Sequence, residues 1–351
     1  MKTLVCLVSR QVMANLIPIL TLKVKKVELL YTNEEKRAHK NLKRVLKNVG
    51  LDFEINEHLV DAYDFEGIKE ICNTLISKNK DIILNTTGGT KVMAFAAYTA
   101  FSAAKKPIFY LDSFNSKAIY LDPYSEAKHP VKIDLDTMLA AHGYKIIGYK
   151  KEADMLPTKP LAIYLTRYFP VLSGCFQQYR RFMHDQVKHF SPIINHDFNF
   201  EICSLKKGGV RVRFDRKEVI LNDPNYLDGL WLEEMVYWMI RKNKWDDLRV
   251  GVSLTYFGAK DEPDPLNEVD VMGIKNGKLY LFSCKSGITK DKKDIFELEA
   301  LRSLAGGTFG KAYFITSAPI SKEKHLYERC RELGIEIFDH RKFLKLMHVS
   351  F

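Results

Sequence analysis

Over the first 120 residues, short apolar runs alternate with longer segments whose apolar positions recur three and four apart. The short runs are Thr3 to Val8, Lys26 to Tyr31, Asp52 to His58, Asp81 to Leu84 and Pro107 to Leu111. The longer segments are Val12 to Leu20, Glu34 to Asn48, Phe65 to Ser77 and Lys91 to Ala104. Strand-length runs alternating with helix-length segments predict βαβ units and a largely parallel, doubly wound sheet. A hairpin-like tail from Phe109 to Tyr120 is expected to close it.

From about residue 145 to 225 the alternation stops, and Pro157, Pro160 and Pro170 interrupt the early part, which predicts a connector or small accessory region. Glu201 to Leu221, with a turn at Lys207-Gly208-Gly209, predicts a β-hairpin or meander. Between Tyr164 and His189 the chain mixes Arg167, Tyr168, Tyr179, Arg180, Arg181, Phe182, His184, Lys188 and His189. Aromatics among cations suit a nucleic-acid strand, but an amphipathic packing helix has the same composition and is the simpler reading.

At Gly229 the pattern changes again. A helix starts at Gly229 to Trp238, a strand at Val250 to Phe257, and an acidic loop at Asp261 to Asp264 is expected to be exposed. A hairpin comes next, then a helix from Asp294 to Leu304, a strand from Lys311 to Ile315, a helix from His325 to Leu333 and a last strand from Ile335 to Phe338. The chain thus divides into 1–145, 146–225 and 226–351, with α/β order at both ends.

The hairpin carries the sharpest chemistry. Asn276-Gly277 is a strong type I′ turn signal, because both central residues need positive φ. With those two as the loop, Lys275 pairs with Lys278, and counting back sets Asp270 opposite Ser283 and Glu268 opposite Lys285. The side-chain period of two puts all four on one face. Both faces are otherwise apolar, so charges there need a partner or a metal. A plain edge ion pair between Glu268 and Lys285, beside a solvated Asp270, fits the local pattern equally well.

At 351 residues the chain is long enough for two domains and a buried site. Its formal charge of +11, from 54 Lys and Arg against 43 Asp and Glu, favours a polyanionic partner. The six cysteines, Cys6, Cys72, Cys175, Cys203, Cys284 and Cys330, form no CxxC pair, which argues against a zinc site or a disulfide framework and for a reduced, cytoplasmic setting. The apolar run Thr3 to Val8 is far shorter than the roughly 20 residues of a membrane span, and no membrane partner is expected.

In an open sheet of this type, ligands sit beyond the carboxyl ends of the strands. Two loops there stand out: Ser9-Arg10-Gln11-Val12-Met13-Ala14-Asn15 and Asn85-Thr86-Thr87-Gly88-Gly89-Thr90-Lys91. The second combines glycines for close backbone approach, threonine hydroxyls and free helix-start amides, the parts of an anion or phosphate cradle. It has neither the P-loop spacing nor the dinucleotide fingerprint. A plain Gly88-Gly89 turn with Thr90 as helix N-cap is the bland alternative.

With these loops in one half and Gly229-Leu230-Trp231-Leu232-Glu233, Glu268-Val269-Asp270-Val271, Ser283-Cys284-Lys285, Leu298 to Arg302 and Gly306-Gly307 in the other, the chain resembles the two-domain effectors of type III CRISPR immunity. In these a CARF (CRISPR-associated Rossmann fold) sensor is joined to a PD-(D/E)xK, restriction-endonuclease-like nuclease. The resemblance covers most of the chain, with 1–145 as sensor and 226–351 as nuclease. It implies a homodimer that binds one cyclic oligoadenylate, usually cyclic tetra-adenylate, and then cuts single-stranded RNA, single-stranded DNA or supercoiled DNA with Mn²⁺ or Mg²⁺. The ligand-bearing positions it implies are Ser9, Gln11, Asn15, Thr87, Gly88, Gly89, Thr90 and Lys91. Glu233 and Asp270, with the Cys284 carbonyl, would hold the metal, and Lys285 would position water or stabilise charge on the phosphorane.

One position departs from the family. Ser283 stands where the third motif usually has an acid, and a neutral hydroxyl is a poor ligand for a hard divalent cation. Glu233 and Asp270 suffice, Glu268 takes over the role, or the nuclease is silent and the protein only senses. A further alternative is that the sensor degrades its own activator, with Ser9 or Thr90 aligning a ribose hydroxyl. An unrelated doubly wound nucleotide-binding domain is the most general alternative. No step needs a histidine, and His129, His142 and His340 are expected to be structural.

Overall fold

Five parallel strands open the chain: β1 (Thr3–Leu7), β2 (Lys26–Tyr31), β3 (Glu54–Leu59), β4 (Ile82–Asn85) and β5 (Ile108–Asp112). The antiparallel β6 (Lys117–Leu121) and β7 (Tyr124–Lys128) complete a seven-stranded sheet of order β3-β2-β1-β4-β5-β6-β7. This computed structural model describes residues 2–50, 53–113, 115, 117–121, 124–128, 132–258, 267–287, 293–317, 324–339, 342 and 345. Asp52, the acidic loop Asp261 to Asp264, His129 and His340 lie outside the described residues.

The sheet is buried on both faces at β1, where Leu4, Val5, Cys6 and Leu7 are successive apolar positions. Leu4, Cys6 and Val8 pack toward α1 (Met13–Thr21) and α2 (Lys36–Asn48), whereas Val5 and Leu7 pack toward α3 (Phe65–Lys78) and α4 (Lys91–Ala103). A continuous apolar run of this kind is what a parallel sheet between two helical layers requires. Strand order reverses between β1 and β4, so the loops after these two strands flank the crevice where such sheets bind ligands.

After α5 (Leu135–Ala141) the chain enters β8 (Tyr144–Lys150), an edge strand of a second, six-stranded sheet. The segment 146–225, expected to be a connector, therefore begins inside a strand that pairs with the later β13. Nor do the prolines break the chain into short pieces: beyond the one-turn α6 (Glu152–Met155), α7 (Lys159–His184) runs for 26 residues. Pro160 lies in its first turn, where a missing N–H leaves no hydrogen bond unmade, and only Pro170 is interior. Burial of Leu161, Leu165, Phe169, Leu172, Phe176 and Tyr179 along one stripe outweighs the roughly 3 kcal/mol an interior proline costs, at about 1.5–3 kcal/mol per large apolar side chain. That stripe packs on the four-stranded meander β9 (Ile193–Asn195), β10 (Phe200–Ser204), β11 (Val210–Phe214) and β12 (Lys217–Leu221), the last three as expected.

The remaining elements are α8 (Leu230–Ile240), β13 (Asp247–Tyr256), β14 (Asn267–Lys275), β15 (Lys278–Lys285), α9 (Lys293–Ala305), β16 (Gly310–Thr316), α10 (Lys324–Glu332) and β17 (Glu336–Phe338). The six-stranded order is β17-β16-β15-β14-β13-β8. One face of this sheet packs on α7 and α8. Its other face, through Val252, Leu254 and Leu281 with Leu298 of α9 packed on them, joins the same apolar cluster as Leu4, Leu42 and Leu139, so the two sheets share a core. Among the described residues no helix is long and apolar enough to cross a membrane.

Gly88 lies hard against the end of β1. A Cβ at this position would lie 2.1 Å from the Leu7 carbonyl oxygen, so only glycine fits without moving the backbone of β1. Gly88→Ala is expected to lower stability by about 1–3 kcal/mol in urea unfolding. Gly148→Ala, at a strand position with nothing within 4 Å of the added methyl, should change it by less than about 0.5 kcal/mol. Equal effects of the two would refute the close-packed crevice.

Candidate active site

The turn and register of the β14–β15 hairpin follow from the sequence as far as Val271. Asn276 and Gly277 have φ of 52° and 70°, and the pairs run from Lys275–Lys278 to Val271–Phe282. There the ladder stops. The Cys284 N–H donates to a carboxylate oxygen of Asp270 at 2.6 Å, so a side chain occupies the place of the next strand–strand bond. Upstream of Val271, β14 stays with β13 alone, at Val269–Val252, Glu268–Ser253 and Asn267–Leu254. Beyond Phe282, β15 stays with β16, at Ser283–Phe314, Cys284–Ile315 and Lys285–Thr316.

The expected strand pairs Asp270–Ser283 and Glu268–Lys285 therefore do not form, and the hairpin forks instead. The pleat also loses phase at this point. Val250 and Val271 belong to the core under α7 and α8, whereas Val252 and Val269, two residues along each strand, belong to the opposite core. Between them on β13 lies Gly251, at φ 59°, opposite Asp270.

The fork opens a cavity of about 360 Å³ lined by Glu268, Asp270, Ser283 and Lys285, the four residues read from the hairpin, together with Asp294 and Glu297 of α9. Lys285 does not pair with Glu268. Its ammonium lies 3.1 Å from Asp294 Oδ1. Burial works against its charge, but the hydrogen bond and charge of Asp294, with Asp270 nearby, outweigh that and hold it above the usual lysine range. Asp294 carried no signal in the sequence beyond opening a helix, because its role depends on where α9 docks.

Glu233 approaches from the other side. It sits in the first turn of α8, does not line the cavity, and lies 3.9 Å from the Lys150 ammonium at the end of β8. Its carboxyl is pushed up to about 8, first by burial and then by the negative charge of Asp270. Asp270 is raised to about 6, mainly by burial, against the lowering effect of the Cys284 N–H and Lys285. The adjacent Glu234 turns away into packing and accepts hydrogen bonds from the Thr158 hydroxyl at 2.7 Å and the Tyr226 hydroxyl at 3.0 Å. The Cys284 thiol is buried, and burial raises it well above the ordinary thiol range.

Among the described residues no three His, Cys, Asp or Glu side chains stand together as a metal site. The donor chemistry nevertheless suits a hard divalent cation: all the acids are oxygen donors, and two of them, Glu233 and Asp270, carry raised pKa values that a nearby cation would relieve.

At the crevice of the first sheet, the two loops are bound to each other. Asn15 is fully buried; its amide donates to the Leu7 carbonyl at 2.8 Å and its carbonyl accepts from the Asn85 amide at 2.9 Å. Asn85 in turn accepts from the Thr87 hydroxyl at 2.5 Å, and Thr87 accepts from the Leu111 N–H at 2.7 Å. Asn15 and Thr87 thus build the crevice, with Gly88 buried against β1, leaving the half-buried Ser9 and Gly89 and the exposed Lys91 on its surface. Thr90 is the N-cap of α4, accepting from the Met93 N–H, and its hydroxyl donates to the Ala62 carbonyl at 2.8 Å. Gln11 faces the other unit, where its side-chain oxygen accepts from the Thr308 N–H at 3.3 Å and from its hydroxyl at 3.4 Å. His142 is half-buried, with its ring Nδ1 2.9 Å from the Met138 carbonyl oxygen.

Residues 3–139 match the family model of the Card1 CARF domain, and residues 222–347 that of the Card1-like endonuclease domain. No curated protein sequence matches the chain. Among solved structures, Can2 from Sulfobacillus thermosulfidooxidans in complex with cyclic tetra-adenylate is similar at TM-score 0.79 and 22% identity, over 99% of this chain and 100% of that one. Protein VC1899 from Vibrio cholerae is similar at 0.77 and 17%, over 99% and 96%. A type III CRISPR defence DNA nuclease activated by cyclic oligoadenylate is similar at 0.60 and 20%, over 90% of this chain and 46% of that one. These structures share the fold.

The raised acids make stability depend on pH. Burial holds the Glu233 proton in the folded protein up to about 8, against 4.5 when unfolded, so the contribution of this one group to stability is fully present below 4.5 and is lost as pH rises through about 8. Because burial lowers the pKa of His39 and of His142, whose contributions rise with pH, the Glu233 effect is read as a difference: in EDTA, the change in melting temperature from pH 5 to pH 8.5 is expected to be more unfavourable in wild type than in Glu233→Gln by at least about 3 °C. Parallel profiles for the two proteins would show that Glu233 is not strained by its surroundings.

Proposed function

We propose that this chain, which joins a Card1 CARF domain to a Card1-like endonuclease domain, is a cyclic-oligoadenylate-activated nuclease of type III CRISPR defence that hydrolyses phosphodiester bonds at the β14–β15 fork. The observation that carries this reading is the forked hairpin itself, which gathers Asp270, Ser283, Lys285, Glu268 and Asp294 around one cavity in the endonuclease half. The activator is cyclic tetra-adenylate, the ligand in the Can2 structure, held at the crevice of the first sheet. Single-stranded RNA or DNA is the substrate class, and a homodimer is the working unit.

Glu233 and Asp270, with the Cys284 carbonyl, would hold a Mn²⁺ or Mg²⁺ ion. When bound, such an ion polarises the phosphodiester and lowers the pKa of an attacking water. Asp270 is oriented for this by the Cys284 N–H, which fixes one carboxylate oxygen and leaves the other to the site. Lys285 stays protonated because Asp294 accepts its hydrogen bond, so it enters the cavity as a cation matched to a phosphate oxygen. Asp294 is a positioning residue for that ammonium. Glu268 is exposed at the rim and available as the replacement acid opposite Ser283.

Ser283 gives the second reading its footing, because it lines the cavity with a hydroxyl where an acid would hold metal more tightly. In that reading the chain senses the activator without cutting. Activator degradation by Thr90 is disfavoured, since its hydroxyl already makes two bonds within the protein.

Cleavage of labelled single-stranded RNA, single-stranded DNA and plasmid with Mn²⁺, with and without cyclic tetra-adenylate, separates these readings. Activator-dependent cutting is expected, with Asp270→Ala and Lys285→Ala each reducing it by at least about 100-fold and Asp294→Asn by less. Tight activator binding without cutting, and gain of cutting in Ser283→Glu, would establish the sensing protein instead.

A further inference from the structure

Beyond Tyr179 the last turn of α7 lies at the edge of the core, with Phe182 and Met183 packed against it, and walls a second cavity, of about 540 Å³, that no residue of the crevice loops lines. It lies between that turn, the chain leading to β9 and the β10–β11 turn. Its size falls within the roughly 300–1,000 Å³ of small-molecule sites. Phe182 and Phe190 form its aromatic wall, stacked with centroids 4.9 Å apart and planes at 8°. Both rings are partly exposed at the edge of the core: their inner sides pack against it, Phe190 edge to face with the buried Tyr179 at 5.9 Å.

Charge at the cavity is of one sign. Lys188 and Lys206 line it, both exposed, with His189, and no Asp or Glu does. The walls are tied before any ligand arrives: the Phe190 N–H donates to the Ser204 hydroxyl at 3.0 Å, and the Val187 N–H to the Phe182 carbonyl at 2.9 Å. Position adds the functional link. Three residues before Met183 of the wall, about 4.5 Å along the helix axis, Arg180 donates to the Ser286 carbonyl at 2.6 Å and to the Asp228 carboxylate at 2.6 Å. Ser286 directly follows Lys285, so the last turns of α7 are fastened to the end of the strand that carries the catalytic lysine.

We infer that this cavity is a substrate subsite that takes an unpaired base of the nucleic-acid strand held at the fork, the base against Phe182 and Phe190 and the neighbouring phosphates on Lys188 and Lys206. This rests on the nuclease reading and deepens it. A stacked aromatic wall accepts any base, because every base has a π-face, and lysines at the rim meet the backbone without reading sequence. A base inside a duplex is not free to enter, so the subsite selects single strands. The aromatics after Tyr179 thereby serve packing on their inner sides and the strand on their exposed sides, with the lysines beside them.

Binding of fluorescein-labelled oligo-U and oligo-dT to the full chain in EDTA, by anisotropy across a salt series, tests this without catalysis. The double variant Lys188→Ser/Lys206→Ser should weaken binding about tenfold and lower the slope of log Kd against log salt by about 1.4. Phe190→Leu, which keeps the volume and loses the π-face, should weaken it about fivefold at unchanged slope, with melting curves checking that both variants fold. Crosslinks from 4-thiouridine oligonucleotides should map to residues 182–190.

Affinities within twofold of wild type and crosslinks elsewhere, in a protein that still cuts, would overturn the subsite and leave the nuclease standing. Competition by duplex DNA or polyglutamate as strong as by the single strand would also overturn it. If the wild-type protein neither binds nor cuts any strand with Mn²⁺ and activator present, the nuclease reading falls, and the subsite falls with it.

Discussion

The bond from the Cys284 N–H to the Asp270 carboxylate decides the shape of the site. A hairpin whose ladder ran to its end would leave Asp270, Ser283, Glu268 and Lys285 as side chains on an unbroken face, with no room between the strands. By taking a backbone donor, Asp270 ends the pairing at Val271–Phe282, and each strand is then held by its outer neighbour, β13 or β16. The carboxylate satisfies a buried N–H, so forking leaves that donor paired and the protein tolerates an acid at this depth. Everything else in the cavity depends on the gap this creates, including the docking of α9 that brings Asp294 to Lys285.

The two raised acids arise from the same geometry. Glu233, from α8, and Asp270, from β14, are both half-buried and close enough for the charge of Asp270 to raise Glu233, with Lys150 at 3.9 Å from Glu233 as partial compensation. Two carboxyls of that kind are costly to ionise unless a cation arrives. The arrangement gives up stability near neutral pH for a site with an unmet demand for positive charge.

The two halves meet through one apolar core and through specific polar contacts. The crevice loops of the first sheet are welded by the Asn15–Asn85–Thr87 bonds, so a change in one loop is felt in the other. Gln11, on the first of these loops, reaches Thr308 just beyond α9, and the opposite end of α9 supplies Asp294. A continuous line of contacts thus runs from the crevice to the ammonium of Lys285. On the far side of the second sheet, Arg180 makes the corresponding fastening between α7 and Ser286.

The alternation of apolar runs and helical segments was enough to determine the doubly wound first sheet, because strands buried on both faces and helices with one apolar stripe leave a local imprint. The Asn276-Gly277 turn likewise determined the hairpin and its register to Val271, and the motif residues Glu233, Asp270, Ser283 and Lys285 could be named before any fold was known. Tertiary structure alone decided the rest. The 26-residue α7 survives Pro170 because packing on the meander supplies more than propensity removes. β8 joins the second sheet because β13 needs a partner along its outer edge. Lys285 pairs with Asp294 rather than Glu268 because α9 docks beside the fork, and Asn15 and Gln11 turn to Asn85 and Thr308, partners that lie far along the chain. Local pattern records which face a residue prefers, whereas a partner 70 or 297 residues away is set only when whole elements dock.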